Sequence, residues 1–541
     1  MYEENNVFLK DEFKLENYEI VLSYDNYLVE RLPLSKDMLK EGDFEKLNTP
    51  GTHSITVLYE DFSIVLTITI VENTTLGLSK LTIFELNDTH GHIEKNNNKG
   101  FSNVAYYVNQ ERNKNDLDDV VLIANGDMFQ GTAISNLTEG RAVIDTMNKM
   151  DFDMLGIGNH EFDWGLNKIL NYFDGNNENG EANFPLLNAN IYERSSNKLV
   201  QIDGGNIFES IIVEKEGIKV GLVSFMDNLE SSINATMIAP YIIKTDYTER
   251  AKRICTELKE KGADVIIVNI HGGNSSGVEK FYLNNAFANI TYNGEYLVDA
   301  IINGHTHTRQ KGYIERYDGL HVPVVQSSGN TQSIGKIELI LDEYTNDVTS
   351  VNVSNVDVSS SYYDESVEAV VKEYQNLIGE TSFCEAGETV DNKKVLGRWS
   401  TAVMRTAMDT DVAIMNTAGV RSAGYISKGQ TVTINHIYEI FPFNNKIYLT
   451  KVKGSDLYKL LNNSGYYYYD SKVELKENDD NYYTVAVVDY VFTGGYFVPN
   501  KDAILTDIGM TDLLIEELKL LEKFTPSDLS NIKTGKKYEY E

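Results

Sequence analysis

The 541-residue sequence predicts an α/β protein with an additional all-β part, and three observations support this. In the middle of the chain, short apolar runs that suit buried strands alternate with segments of helical periodicity. These runs end in polar turns, several of which contain glycine and so allow close backbone approach. Before them lies a stretch of β-branched and aromatic runs that predicts strands alone. The chain is too long for one hydrophobic core, so two to four domains are expected.

Composition restricts the classes of partner. The chain has 81 acidic against 48 basic residues and a net charge of −33, so nucleic acid polymers and anionic membranes are poor partners. A small phosphorylated substrate stays compatible with this charge if metals or an arginine reverse the field locally. No apolar run reaches the ~18 residues that a membrane span needs, and the acidic start of the chain does not have the pattern of a signal peptide. Only Cys255 and Cys384 are cysteines, so a metal site must use histidine and carboxylate ligands.

Residues 1–76 are predicted to form a small β-sandwich. Residues 18–24, 54–59 and 63–71 are β-branched or aromatic runs with partial alternation. The segment from Pro50 to Val57 resembles bacterial Ig-like modules of exported proteins. No cluster of catalytic residue types lies in this part, which predicts a spacer or surface module.

Five apolar runs between residues 81 and 303 each end in a turn rich in potential metal ligands. Five of the nine histidines of the chain lie in these turns, which packing alone does not explain. The ends of strands are where an α/β protein directs side chains into a shared cleft. The turns are Asn87-Asp88-Thr89-His90-Gly91, Asn125-Gly126-Asp127, Gly158-Asn159-His160-Glu161-Phe162-Asp163, His271-Gly272-Gly273 and Gly304-His305-Thr306-His307.

These turns predict a metal centre with only oxygen and imidazole donors, which suits Zn, Mn, Fe or Co without choosing among them. Seven donors are too many for one tetrahedral ion but suit two ions that share a carboxylate. A hydroxide bridging the ions would be the nucleophile. His160 is not needed as a ligand, and Asp163 lies close enough in sequence to orient it for general-acid or electrostatic help. The candidate ligands are Asp88, His90, Asp127, Asn159, His271, His305 and His307.

The same five turns resemble the five sequence blocks of the calcineurin-like metallophosphoesterases, and their longer frames resemble the 5′-nucleotidase branch. The resemblance runs from about Leu81 to Leu341. It implies a catalytic domain in which two mixed β-sheets form a sandwich between helices. It further implies that Asp127 bridges two ions, that His160 and Asp163 form the catalytic dyad, and the following ligand sets. One ion takes Asp88, His90, Asp127 and His307, and the other takes Asp127, Asn159, His271 and His305.

A third region resembles the substrate-binding domain of this family. Asn416 matches a base-contacting asparagine, and Arg421 matches a phosphate-binding arginine. Phe443 matches the first of two aromatics that sandwich the base, and spacing makes Tyr490 the second, with Phe492 as its competitor. Core packing is the alternative role for Phe443 and Tyr490. The predicted domains are residues 1–76, a catalytic domain at 77–345, a linker at 346–364 and a substrate-binding α/β domain at 365–541.

The sequence departs from the family pattern at three places, of which the first two leave the exact substrate open. Gly494-Gly495 matches the diglycine that follows the second aromatic in the family, but Tyr496-Phe497 comes next where the family has Asp-Gly, whose aspartate contacts the ribose. A second phosphate-binding arginine is expected near Leu396, and the nearest candidate, Arg398, is out of register by two residues. A glycine pair follows His271, where a turn poorer in glycine is common.

The sequence thus predicts a metal-dependent enzyme that hydrolyses small phosphomonoesters, with nucleoside 5′-monophosphates as the favoured substrates. The alternatives within the same chemistry are 2′,3′-cyclic-nucleotide phosphodiesterase and nucleotide-sugar hydrolase activity. The alternative outside enzymes is a surface binding or adhesion protein with a vestigial site. The Ig-like resemblance and the family favour an extracellular or cell-surface location.

Overall fold

A seven-stranded mixed sheet is built around the apolar run Leu78–Leu86, which is buried on both faces from Lys80 onward. The computed structural model describes residues 7–9, 15, 19–23, 29–60, 62–71, 78–95, 99–114, 119–343, 345–379, 381–463, 465–496 and 502–538. In the strand order given below, the first five strands pair with one another in parallel, and each of the last two is antiparallel to the strand before it. In spatial order the strands are Ile207–Phe208, Leu186–Leu187, Met154–Gly156, Val120–Asn125, Leu78–Leu86, Ser333–Asp342 and Val348–Asp357.

A second mixed sheet of six strands packs against the first. Its inner four strands are parallel, and an antiparallel strand closes each edge. One buried cluster joins the two sheets, with Leu81, Ile83 and Val121 from the first meeting Val220 and Ile267 from the second. The strands in order are Ser210–Lys215, Ile218–Met226, Val265–His271, Ala300–Ile302, His321–Gln326 and Gln310–Glu315.

Helices cover the outer face of each sheet, so the predicted sandwich of two mixed sheets between helices is confirmed. An amphipathic pattern explains why these segments are helical, since their apolar positions recur on one face and are the buried ones. The helices on the first sheet are Phe101–Arg112, Arg141–Lys149, Leu166–Leu170 and Glu365–Ile378. Those on the second sheet are Tyr247–Glu260 and Tyr282–Ala288. Short helices at Ala133–Leu137 and Ala235–Ile238 lie near the site described below.

The sandwich of the two mixed sheets extends beyond the domain boundary predicted at residue 345. Val348–Asp357, placed by the sequence prediction in a linker, pairs with Ser333–Asp342 as the edge strand of the seven-stranded sheet. Its valines are separated by polar residues, and all of them are buried or half-buried, as suits an edge strand with one covered face. The helix Glu365–Ile378 is capped by Asp364, whose side chain accepts hydrogen bonds from the N–H groups of Ser366 and Val367. Val367 and Val371 bury this helix against the first sheet, so it packs on the catalytic side.

The C-terminal region has its own core around a five-stranded sheet. Its strands in order are Tyr467–Ser471, Val412–Asn416, Tyr482–Val488, Lys446–Lys453 and Ile504–Gly509. A second small sheet contains Thr431–Thr433, Ser382–Ala386 and Lys523–Phe524. The helices are Lys393–Met408, Ile434–Ile440, Gly454–Asn463, Asp489–Val491 and Met510–Leu520.

The N-terminal part is described in segments. Val7–Leu9, Phe62–Val71 and Gly51–Tyr59 form a three-stranded sheet, and Glu19–Ser23 pairs with Val29–Pro33. A short helix, Asp43–Lys46, packs with them around a small apolar core. The strands agree with the β-rich prediction, and the Ig-like identity of residues 1–76 stays a prediction. None of the described helices is long and apolar enough to cross a membrane.

Candidate active site

The predicted ligands lie at the carboxyl ends of parallel strands from both sheets, which meet at one edge of the sandwich. The turns are joined by backbone hydrogen bonds: the N–H of Asp88 donates to Gly126 O at 3.0 Å, and that of His90 donates to Asp127 O at 3.0 Å. The N–H of Gly304 donates to Gly272 O at 3.0 Å. The strand order therefore brings together side chains that are up to 219 positions apart in the sequence, from Asp88 to His307.

Left-handed backbone conformation is concentrated at these turns. Such φ values are unfavourable for residues other than glycine and persist where the surrounding structure enforces them, often at functional sites. Glycine allows the turns to approach each other, because a Cβ on Gly158 would lie 2.3 Å from Asp127 Oδ1. The non-glycine ligands with positive φ are Asp88 (52°), His90 (48°), Asp127 (55°), His305 (71°) and His307 (52°).

The candidate ligands form two clusters that share one carboxylate. In each cluster the ligand atoms lie within 4.8 Å of one another. Asp127 belongs to both, which is the arrangement expected of a bridging ligand. The first cluster contains Asp88, His90, Asp127 and His307, and the second contains Asp127, His271 and His305.

The donor atoms fit cations because several of them are buried without a hydrogen bond. His271 Nε2 lies 3.1 Å from Asp127 Oδ2, and His307 Nε2 lies 3.3 Å from Asp88 Oδ1. A buried, unpaired carboxylate oxygen is costly unless a cation compensates it. Nitrogen and oxygen donors in this number suit two divalent ions. The buried ligand atoms without a hydrogen-bond partner are Asp88 Oδ1, Asp127 Oδ2, Asn159 Oδ1 and His271 Nε2.

Backbone carbonyls orient two of the imidazoles. His90 Nδ1 lies 3.0 Å from Gln130 O, and His271 Nδ1 lies 2.7 Å from Asn125 O. A carbonyl oxygen only accepts, so Nδ1 carries the proton in both rings and Nε2 is left for a metal. Burial opposes the charged form of His271, but the Asp127 carboxylate outweighs it and raises the pKa of His271 to about 10, so a metal ion at Nε2 would displace a proton from it. Burial, together with the neighbouring His160, lowers the pKa of His90 well below its ordinary value.

Glu161 joins the loop of Asp127 to the loop of Asn159. Its carboxylate accepts the N–H groups of Asp127 at 2.9 Å, Met128 at 2.9 Å and Gly158 at 2.6 Å. Burial, with the charge of Asp127 adding to it, raises the pKa of Glu161 to about 7. The conformation of the shared ligand is therefore fixed by a side chain that does not itself belong to either cluster.

His160 and Asp163 are placed as a dyad beside the ligands. His160 Nδ1 lies 2.7 Å from Asp163 Oδ2, and the His160 N–H donates to Asp127 Oδ1 at 2.7 Å. Burial opposes the charged imidazole, but Asp163 and Asp127 outweigh it and raise the pKa of His160. The Nε2 atom of His160 faces the C-terminal region, where Arg421 Nη2 lies 3.5 Å away. The arrangement suits a histidine that holds a proton.

A cavity of about 450 Å³ extends from Asn159, His160 and His305 into the C-terminal region. Phe443 stacks on His160 with ring centroids 5.7 Å apart, and Arg421 Cζ lies 5.4 Å from the centroid of the Phe443 ring. Tyr490 lines the same cavity, and its hydroxyl donates to Ser231 O at 3.3 Å. The cavity therefore joins a cation-binding end to an end with aromatic rings and a guanidinium.

Two known protein families match the two parts of the chain that line this cavity. Residues 81–309 match the calcineurin-like phosphoesterases, and this range contains every predicted metal ligand and the dyad. Residues 81–309 therefore form a calcineurin-like phosphoesterase domain. Residues 375–477 match the C-terminal domain of 5′-nucleotidases, and this second range contains Arg421 and Phe443. The two matches identify a phosphoesterase-type hydrolase, and its Asp and His clusters fit two divalent ions.

The relatives of this phosphoesterase are named for several activities. It is 27% identical over 425 residues to Endonuclease YhcR of Bacillus subtilis, covering 71% of this chain and 32% of that protein. It is 25% identical over 432 residues to the snake venom 5′-nucleotidase of Crotalus adamanteus, covering 70% of this chain and 69% of that protein. Its fold is similar to that of a 5′-nucleotidase precursor from Thermus thermophilus. That comparison has a TM-score of 0.66 and 19% identity, and it covers 83% of this chain and 97% of the other.

The substrate residues predicted for this phosphoesterase divide into two groups. Asn416, Arg421, Phe443 and Tyr490 line the cavity together. Phe492, the competitor of Tyr490, instead stacks on Tyr448 at 4.1 Å and packs on the C-terminal core.

Arg398 is exposed and is not among the residues that line the cavity. The cause is its position on the helix Lys393–Met408, whose neighbouring residues Leu396 and Trp399 face the core. Of the Tyr496-Phe497 departure, Phe497 lies outside the described residues.

Further lining residues were not predicted from the sequence. Trp164, Asn234 and Met237 come from the catalytic side, and Asp489 comes from the C-terminal side. Asn234 precedes the short helix Ala235–Ile238 as its N-cap, and Met237 lies within that helix. The sequence there has no ligand-rich pattern from which these two residues could be predicted. Trp164 and Gln130 flank the recognised turns, so their proximity to those turns was the available signal.

Proposed function

We propose that this protein hydrolyses small phosphomonoesters and that nucleoside 5′-monophosphates are its preferred substrates. The observation that carries the proposal is one cavity that reaches His160 and the predicted ligands Asn159 and His305. The same cavity is lined by Arg421, Phe443 and Tyr490. A nucleotide needs both kinds of contact, because its phosphate must reach the metals while its base is held elsewhere. The similarity to a snake venom 5′-nucleotidase supports the same substrate class.

Each group of residues has a separate role in the proposed reaction. The seven predicted ligands would hold two divalent ions, which supply Lewis acidity and lower the pKa of a water nucleophile. His160, kept protonated by Asp163, stabilises negative charge on the transferring phosphoryl group or protonates the leaving oxygen. Arg421 binds the phosphate, and Phe443 and Tyr490 stack on the base.

Two other substrate classes use the same chemistry. A polynucleotide is suggested by the relative named as an endonuclease, whereas the net charge of −33 disfavours a polyanion. Cyclic nucleotides and nucleotide sugars would also present a phosphate to the ions and a base to the aromatic end. A vestigial binding role is disfavoured because drift would remove ligands, whereas six of the seven lie in the two clusters and the seventh, Asn159, lines the cavity.

The test is a substrate panel assayed on protein stripped of metal with a chelator and then reloaded with Zn, Mn, Fe or Co. The panel contains AMP, 2′,3′-cyclic AMP, a nucleotide sugar, single-stranded DNA and a phosphate ester without a base. We expect AMP to have the highest kcat/KM and all activity to need added metal. A higher kcat/KM on the cyclic nucleotide, the sugar nucleotide or DNA would replace the proposed substrate. Activity that survives metal removal would overturn the proposed chemistry.

We further propose an extracellular or cell-surface location, supported by the similarity to a venom enzyme and by the Ig-like resemblance of Pro50 to Val57. Fractionation of the source cells with an antibody to the protein tests this. Recovery of the protein only from the cytosol would contradict it.

A further inference from the structure

Gln130 is a buried polar side chain that the proposed function does not yet use. It is 2% exposed and lines the cavity. Neither its Oε1 nor its Nε2 has a hydrogen-bond partner among the described residues. Leaving a buried amide unpaired costs about 1–3 kcal/mol, so such a group is normally satisfied by water or a ligand.

The backbone around Gln130 is fixed on both sides of the cavity. Its carbonyl accepts the Nδ1–H of His90 at 3.0 Å, which ties it to a predicted metal ligand. The next N–H, of Gly131, donates to Asn136 Oδ1 at 3.3 Å, and Asn136 Nδ2 donates to Pro442 O at 3.0 Å. Gly131 has no room for a side chain, since a Cβ there would lie 2.4 Å from His90 O. The backbone that carries the free amide is therefore held in place by its surroundings.

The position of Gln130 indicates which part of a substrate it meets. Its carbonyl contacts His90, whose ring lies 4.9 Å from the ring of His160. Gln130 thus belongs to the metal end of the cavity, where the phosphate of a substrate must lie for hydrolysis. A phosphate monoester offers only acceptors to an amide when it is fully ionised, so Nε2 is the atom that suits it.

We propose that Gln130 contacts the substrate directly and donates a hydrogen bond from Nε2 to a phosphoryl oxygen. This inference rests on the proposed phosphomonoester hydrolysis. A neutral donor there adds to the cationic contact of Arg421 without further charge. It also accounts for the buried, unpaired amide.

The test compares Gln130→Met with Gln110→Met, each loaded with metal. Methionine keeps the length of the side chain and the backbone carbonyl that contacts His90, but it has no donor. Gln110 is an exposed glutamine on the helix Phe101–Arg112 and serves as the matched control. We expect Gln130→Met to lower kcat/KM about ten- to 100-fold on both AMP and the phosphate ester without a base. Calorimetry should show that Gln130→Met loses affinity for inorganic phosphate to a similar extent while its metal content stays unchanged. The Gln110→Met variant should keep the wild-type kcat/KM and phosphate affinity.

Two further variants keep the inference testable if Gln130→Met folds poorly. Gln130→Glu keeps the shape but repels phosphate, so it should lose more phosphate affinity than the methionine variant. Gln130→Asn keeps a donor and should retain more affinity than methionine. Phosphate affinity within twofold of wild type in both the methionine and glutamate variants would overturn the inference.

Other outcomes are equally decisive. Loss of metal in Gln130→Met would assign the residue to support of the His90 loop. Loss on AMP alone would place the contact on the nucleoside. Either result overturns the phosphoryl contact. If the wild-type protein hydrolyses no phosphate ester, the proposed function fails, whereas phosphate binding to metal-loaded protein still tests Gln130 separately.

Discussion

The two ends of the cavity are built in different ways. At the metal end, Asp88, Asp127 and His271 are fully buried, hold unpaired atoms and lie in turns tied to each other by backbone hydrogen bonds. At the other end, Arg421 is exposed and Tyr490 only partly buried, and residues of two regions share the lining. The metal end is fixed by one rigid sandwich, whereas the substrate end depends on two regions meeting. Substitutions of the metal ligands should therefore abolish activity, and those of the aromatic rings at the other end should change selectivity.

The largest effect is expected for Asp127→Asn. Among the described residues, Asp127 is the only carboxylate that belongs to both clusters, and an amide cannot neutralise two cations as a carboxylate does. We expect loss of bound metal and of nearly all activity on every substrate. Metal analysis and turnover assays check this, with exposed Asp203→Asn as a control. Two ions per chain with near-normal turnover would rule out the bridging role.

His160→Ala should have the next largest effect and should separate chemistry from metal binding. His160 contacts Asp163 and Arg421 through its two ring nitrogens and is a member of neither cluster. We expect both metals to remain and kcat to fall about 10²–10⁴-fold. Asp163→Asn should act in the same direction but more mildly, because the histidine stays. Loss of a metal ion from His160→Ala would show that the residue is a ligand.

The same difference explains what could be predicted from the sequence. Each predicted metal-ligating turn is a short sequence in which glycine and ligand stand within a few residues of each other. The turns of Asp88 and His305 could therefore be recognised directly from the sequence. The substrate end depends on which face of a helix points inward. Arg398 was predicted from near-register spacing, but its helix turns it to solvent. Asn234 enters the cavity only because the regions pack together, which no local pattern records.

The stacking residues should affect nucleotides selectively. Base stacking is worth about 1–3 kcal/mol, or about five- to 150-fold in affinity. We expect Tyr490→Ala and Phe443→Ala to raise KM for AMP by that range and to change little on the phosphate ester without a base. Because Phe443 also stacks on His160, Tyr490→Ala is the cleaner variant. Equal loss on both substrates in Tyr490→Ala would indicate a packing role, and no effect on either would remove nucleotides from the proposed class.

The smallest effect is expected for Arg398→Ala, which tests whether the cavity in this structure is the one that binds substrate. Arg398 is exposed and does not line it, whereas Arg421 lines it and lies 3.5 Å from His160. We expect Arg398→Ala to change kcat/KM less than about twofold, within the range of surface substitutions. Arg421→Ala should lower kcat/KM about ten- to 100-fold on all phosphate esters, because it removes a charged phosphate contact. Equal losses in the two variants would mean that substrate binds in a different arrangement of the two regions. In that arrangement the helix Lys393–Met408 would have to face the metals, and the near-register spacing of Arg398 would then predict the phosphate contact better than this cavity does.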